Sequence, residues 1–224
     1  ELFYKKTYSL NSNNDVLYLP SLGLGTYLGN PTNQDDNLYY NSIRNCLLNG
    51  VNAVDTAPNY RYYKSERVIG EVLSQLIKQS NFEREYMFIS TKVGFVPKDS
   101  DKNKLEKDII IDCLKFCSNY KGNYQEIVNK ISIDDFLGEA HSIHIGYFIY
   151  QIEQSLKNLR VTTIDLIYLQ NIFEMQFSSL KTNIYKKIKL LFEVCEYYRS
   201  ISKIKYYGLA TWNCFRSPNS EEGI

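Results

Sequence analysis

Hydrophobic and polar positions along this chain alternate at two periods, and the switches between them outline its elements. Two β-rich runs, Tyr4 to Leu10 and Val16 to Pro20, flank the polar cluster Asn11-Ser12-Asn13-Asn14-Asp15 and predict a hairpin. A short apolar strand then ends at Gly25-Thr26. Asp35 to Asn49 carries a helical period, with Leu38, Tyr39, Ile43, Cys46 and Leu47 on one side and Gly50 at the C′ position. Val51 to Asp55 reads as a strand. Ser65 is placed to cap a helix whose pairs Val68/Ile69, Val72/Leu73 and Leu76/Ile77 recur every four residues. Tyr86 to Thr91 is again a strand. Ile149, Ile152, Leu156 and Leu159 mark a helix, and Ile164 to Leu169 a strand. Ile184, Ile188, Leu191, Phe192, Cys195 and Tyr198 mark another helix, and Ile204 to Ala210 closes the series as a strand.

Beyond the hairpin this gives five strands with four helices between them, which predicts βαβ units around a parallel sheet. No shorter internal repeat points to a solenoid. Residues 93–140 are far too long for an ordinary βα loop. Pro97 to Lys107 is polar and charged, whereas Ile109 to Cys117 has helical spacing. The segment is expected to be a partly ordered insertion on the active-site side of a single domain spanning 1–224. Arg216 to Ile224 is polar, contains Pro218 and is expected to fray.

Composition narrows the function classes. The 224 residues suffice for one domain with a sizeable core. Lys+Arg 26 against Asp+Glu 25 leaves a net charge of +1, a balance that does not point to nucleic acid or an anionic membrane as partner. No apolar run approaches the roughly 18 residues of a membrane span, and the start, ELFYKKTYSL, lacks a signal-peptide core. The five cysteines are odd in number and scattered, as in a reducing, cytoplasmic setting. Cys113 and Cys117 would share a helix face, but with two histidines in the chain and no second cysteine pair, no metal site is expected. With 20 tyrosines, a tyrosine means little unless its position singles it out.

Position does single out a set. Asp55, Lys92 and Gln170 fall just beyond strand carboxyl ends, and Tyr60 lies in the loop after Asp55. In a parallel α/β arrangement those ends converge on one face, where ligands bind. An ammonium paired with a carboxylate and placed beside a phenol favours tyrosinate over tyrosine, which eases proton donation. Such a phenol can protonate a carbonyl oxygen as hydride reaches the carbon. Each residue also has a plainer reading: Asp55 as a loop cap, Tyr60 as packing with a wet tip, Lys92 as a solvated charge. The conjunction favours chemistry. Gly23-x-Gly25-x-x-x-Gly29 imitates a loosened dinucleotide fingerprint, but Asn30-Pro31-Thr32-Asn33 intervenes before any helical spacing, which argues against a Rossmann site.

Asp55-Thr56-Ala57-Pro58-Asn59-Tyr60, followed by Ser65-Glu66 and Ile69-Gly70, resembles the D-T-A-x-x-Y…(S/N)E…(I/L)G pattern of the aldo-keto reductases. Leu22-Gly23-Leu24-Gly25-Thr26-Tyr27 is similar to that family's first strand, and Ser90-Thr91-Lys92 to its third. Ile164 to Leu169 is similar to the fourth, and Ile204 to Ala210 to the fifth. The likeness runs from about Leu19 to Trp212, interrupted mainly by the insertion. It implies a TIM-type (β/α) barrel with about five of its eight βα units in this chain, NADPH as cofactor and a small carbonyl compound as substrate. Matched residue by residue, it implies Tyr60 as acid, Lys92 as its modulator and Asp55 as the lysine's partner. Gly25, Thr26 and Tyr27 match positions lining the nicotinamide and substrate pocket. The Ser-Asn pair that holds the carboxamide in the family falls near Ala210-Thr211, where the identities differ and Asn213 could substitute.

Two departures from the family qualify what the resemblance implies. Its tetrad histidine position is Gln170, which can orient a carbonyl through its amide but cannot titrate; weakened chemistry is expected. His141 or His144, just before the fourth-strand helix, could reach over the site, but a loop or cap role is the expectation. Three further strands are also expected beyond these residues, because five parallel strands cannot close a barrel. The sequence is thus read as a fragment or a degenerate product, binding NADPH poorly by itself. The alternative to a reductase is a catalytically weakened, NADPH-sensing or scaffolding barrel.

Overall fold

The computed structural model describes residues 4–9, 16–79, 82–180 and 183–216. Strands β1 (Tyr4–Ser9) and β2 (Val16–Pro20) pair antiparallel, as the hairpin pattern predicts; its turn lies outside the described residues. Strands β3 (Gly23–Gly25), β4 (Ala53–Asp55), β5 (Phe88–Val93), β6 (Ile164–Gln170) and β7 (Ile204–Ala210) form one parallel sheet in simple sequential order. Helices α1 (Asn33–Leu48), α2 (Lys64–Gln79), α5 (Ile145–Leu159), α6 (Ile172–Leu180) and α7 (Asn183–Ser200) connect these strands. Between β5 and α5 lie α3 (Glu106–Ser118) and the single turn α4 (Gln125–Val128).

Order and burial together identify a barrel segment rather than a doubly wound sheet, in which strand order reverses and helices cover both faces. One face carries Ile89, Thr91, Val93, Ile167 and Leu169, all buried beneath the helices. The opposite pleat carries Ser90, Leu166, Tyr168 and Tyr206 and lines an open trough of about 920 Å³. Five strands curve around this hollow without closing it.

Local chemistry sets the element ends. The Thr32 side chain accepts from the Asp35 backbone N–H at the start of α1, and Asp35 and Asp36 complement the positive end of its dipole. At the other end Gly50 is left-handed (φ 83°), its N–H donating to Leu47 O and that of Val51 to Cys46 O. This doubly bonded exit satisfies carbonyls the helix leaves free. Leu38, expected on the buried side, is exposed, and α1 buries chiefly Ile43 and Leu47. Ser65 does not cap α2. It lies inside the helix, and its hydroxyl donates to Thr26 O at 2.8 Å, tying α2 to the end of β3. The stripe Val68, Ile69, Val72, Leu73 and Leu76 is buried as its spacing predicts, although Ile77 is exposed.

Residues 93–140 depart most from expectation. The segment contributes to the core: Ile109, Ile110, Cys113 and Cys117 of α3 are buried, and α3 packs on α5. Asp99, nearly fully buried, receives both terminal nitrogens of Arg67 at 2.8 and 2.7 Å, which clamps the polar stretch to α2. Helix α6 is not among the helices expected from the sequence. It starts straight from the strand end after a left-handed Asn171 (φ 51°), and its short apolar face, Ile172, Phe173, Phe177 and Leu180, follows β6 without a break.

Glu66 is the buried carboxylate of the α2–β5–α5 junction. One oxygen accepts the Thr91 hydroxyl at 2.7 Å and the other the Asn158 amide at 2.9 Å. Burial raises its pKa, opposed by those hydrogen bonds. A carboxyl that holds its proton more tightly when folded stabilises the fold fully below its unfolded pKa of about 4.3, and that contribution is lost as pH rises through the folded value. Wild type is therefore expected to lose stability relative to Glu66→Gln as pH rises from about 4 towards neutrality. Urea midpoints that keep a constant gap between the two proteins over that range would refute the linkage.

Candidate active site

Strand register brings the four candidate residues to one end of the sheet. Asp55 ends β4 level with Ser90, and Gln170 ends β6 level with Ala210; Lys92 lies one pleat above Ser90, level with Tyr168. Lys92 is thus within its strand, not beyond it. Its buried ammonium donates to Asp55 Oδ1 and Oδ2 at 2.8 and 2.7 Å and to Thr56 O at 2.9 Å. Ser90 Oγ donates to Asp55 Oδ1 at 2.7 Å, so the carboxylate is held from two levels of the same strand. Lys92 meets Tyr60 through the ring face, with Nζ 4.7 Å from the centroid, and Tyr27 stands edge-on to the same ring at 5.0 Å.

Tyr60 owes its place to an unusual loop. Arg61, Tyr62 and Tyr63 follow with φ of 51°, 56° and 71°, three successive left-handed residues without a glycine. Each costs roughly 1–2 kcal/mol relative to right-handed geometry. The loop is closed by Tyr60 N–H on Ala57 O and Tyr63 N–H on Pro58 O.

Tyr60, Lys92, Tyr168, Gln170, Thr211 and Trp212 line an open cavity of about 330 Å³ at this mouth. Gln170 is buried at the cavity wall, and its backbone carbonyl accepts from His141 Nε2 at 2.8 Å. The Gln176 amide donates to His141 Nδ1 at 3.0 Å, which assigns the ring proton to Nε2. Burial pushes His141 down to about 4, so the ring is neutral near pH 7. This histidine props the end of β6 from behind. His144 accepts the Gly146 N–H on Nδ1 and caps α5.

The expected pocket residues divide. Tyr27 is exposed beside Tyr60, and a Cβ on Gly25 would meet nothing within 4 Å, so both face open space. Thr26 turns inward instead: fully buried, its hydroxyl donates to Asp55 O at 3.0 Å. It holds the backbone that carries Asp55 and does not line the pocket. Thr211 and Asn213 lie beyond β7, where Glu174 gathers them. One oxygen of Glu174 accepts from the Thr211 hydroxyl and from the N–H groups of Trp212 and Asn213, the last two at 2.6 and 2.9 Å. Burial pushes this carboxyl up, but those donors hold it below its ordinary value.

Ser90, Tyr168 and Glu174 were not among the residues singled out by sequence. The first two had a signal, since each sits two residues before a candidate on its own strand and period 2 puts it on the same face. Glu174 had none, because it lies off the short apolar face of α6 and its partners are beyond β7.

A family model described as the Aldo/keto reductase family matches residues 21–217. Aldose reductase C of Dictyostelium discoideum is 35% identical over 99 residues, covering 40% of this chain and 28% of its own length. An aldose reductase of Encephalitozoon cuniculi is 32% identical over 88 residues, covering 39% and 26%. The holo form of an aldo-keto reductase from Bacillus halodurans superimposes with a TM-score of 0.56 at 19% identity, over 94% of this chain and 51% of that one. An aldo-keto reductase complexed with NADPH gives 0.53 at 18%, over 92% and 48%. The chain thus spans about half the length of these solved relatives. The curated ones match it over little more than a quarter of theirs.

Proposed function

The chain belongs to the aldo/keto reductase family, and on that premise we propose that it provides the acid–base half of an NADPH-dependent reduction of aldehydes or ketones. The observation that carries this reading is the Lys92 ammonium, bonded to both Asp55 oxygens while it lies 4.7 Å from the centre of the Tyr60 ring at the cavity mouth. Bound NADPH would supply the hydride. Tyr60 gives its proton to the carbonyl oxygen as negative charge builds there. Lys92, fixed by Asp55 and Thr56, stabilises the phenolate left behind. Gln170 at the cavity wall orients the carbonyl by donating from its amide.

The residues present suit a flat ring bearing an amide. Gly25 leaves free space beside Asp55, and the end of β7 offers the Thr211 hydroxyl with two backbone N–H groups, now turned to Glu174. In this reading Gly25, Tyr27, Thr211 and Asn213 border the nicotinamide, and Thr26 supports it through Asp55.

One observation favours a second reading, a weakened barrel that senses NADPH: Gln170 cannot exchange a proton. Oxidation of NADPH by the full-length protein over a panel of aliphatic, aromatic and sugar aldehydes separates the two. Turnover supports the reductase; tight NADPH binding with no turnover on any carbonyl supports the sensor. Within the reductase reading, Gln170→His is expected to raise kcat by about tenfold or more by restoring a titratable group. An unchanged kcat would remove this residue from the chemistry.

A further inference from the structure

We propose that Arg61 is a positioning residue for Tyr60, acting as a clamp that joins two loops and fixes where the phenol stands over Lys92. It rests on the reading of Tyr60 as proton donor. The Arg61 side chain is wholly buried, yet it is bonded only to elements distant in sequence. Nε donates to Asn30 O at 2.9 Å, and one terminal nitrogen donates to Thr32 O at 3.4 Å and to Asp36 Oδ1. The guanidinium lies 4.7 Å from the centre of the Tyr39 ring, on the same helix as Asp36. Asp36 in turn takes Lys64 at 2.7 Å, and Lys64 and Arg67 both reach Asp101 of the inserted segment.

The neighbouring contacts show what the clamp controls. Tyr60 is the residue before Arg61, and Tyr27, which stacks edge-on against Tyr60, belongs to the loop that Arg61 grips at Asn30 and Thr32. The loop that carries the phenol and the loop that carries its edge-on neighbour are therefore joined by one guanidinium, while Lys92 meets the ring face independently. Arg61 also begins the left-handed run, a conformation in which a side chain is disfavoured unless its surroundings over-determine it. Glycine would occupy that backbone without strain, so an arginine there is tolerated for its side chain. The fork geometry explains the residue type: two separate carbonyls and a carboxylate are reached at once, beyond what the single point of a lysine offers.

The test compares Arg61→Met, Arg61→Gly and Arg61→Lys in the full-length protein. In the Met and Gly variants kcat is expected to fall about 10- to 100-fold, well beyond any loss of NADPH affinity, because a displacement of about 1 Å suffices for such a loss. Amide exchange over residues 57–64 is expected to quicken while that of the sheet does not, and Arg61→Lys should recover part of both. Wild-type kcat and exchange in Arg61→Gly would overturn the clamp, since that variant removes the strain together with the contacts. Exchange quickened uniformly across the sheet, with kcat lost only in proportion to the unfolded fraction, would overturn it in favour of general stabilisation. If Arg61→Met fails to fold, Arg61→Gly and Arg61→Lys are read by the same criteria. Absence of wild-type turnover would refute the reductase reading, and exchange over 57–64 would still decide whether Arg61 holds the loop.

Discussion

Tyr60→Phe is expected to lower kcat for carbonyl reduction by about 10²- to 10⁴-fold, the span attributed to a positioned proton donor. The substitution removes one hydroxyl and nothing else that the loop depends on. The ring that lies under the Lys92 ammonium and against Tyr27 stays in place, and the bonds of Lys92 go to Asp55 and Thr56. NADPH affinity and melting temperature should therefore be kept, and kcat and kcat/KM should fall together, as for an interaction made only in the transition state. The cavity holds a second phenol as control. Tyr168 is raised by burial and then by the Asp55 charge, which makes it a poor proton donor. Tyr168→Phe should keep most of the activity. Steady-state rates that fall less than about tenfold in Tyr60→Phe, or more in Tyr168→Phe, would assign the proton to another group.

Gly70→Ala is expected to destabilise the fold by ~3 kcal/mol or more, among the largest effects a single methyl can have here. A Cβ at this position would lie 2.3 Å from Asn158 O and 2.7 Å from the Leu159 carbonyl carbon. Both are backbone atoms at the end of α5 and cannot rotate away. In an exposed helix the same change would gain about 1 kcal/mol of helix propensity, so the sign of the measured change decides which effect dominates. Relief requires α2 to lift from α5, opening the contacts of Val72 and Leu73 and pulling Glu66 from Asn158. Chemical denaturation showing equal or greater stability would mean that the two helices do not approach this closely.

The same position shows what a motif conceals. Ile69-Gly70 and Ser65-Glu66 are visible as letters, but their reasons lie in partners far along the chain. Gly70 meets Asn158 and Leu159, Glu66 meets Thr91 and Asn158, and Ser65 meets Thr26. Ser65 followed by a helical stripe looks like a cap because local spacing cannot reveal that its hydroxyl donates to Thr26 O, just past β3. Residues 93–140 misled for a similar reason. Their polar first half resembles a loose loop until Arg67 is placed beside Asp99, and α3 shows its apolar face only against α5.

By itself the sequence determined the alternation of strands and helices, the parallel sheet and the residues at its carboxyl end, because periods of 2 and 3.6 and strand-to-helix switches are local properties of the chain. It also placed Asp55, Lys92 and Gln170 at the same end of the sheet, since parallel strands all point their ends one way, whereas the position of Tyr60 depends on its loop. Only the tertiary structure decided which atoms touch. Sheet register set Asp55 against Ser90 and within reach of Lys92, burial turned Thr26 inward and His141 behind Gln170, and the packing of α6 brought Glu174 to the end of β7. Those outcomes depend on distances between residues remote in sequence, which no periodicity encodes.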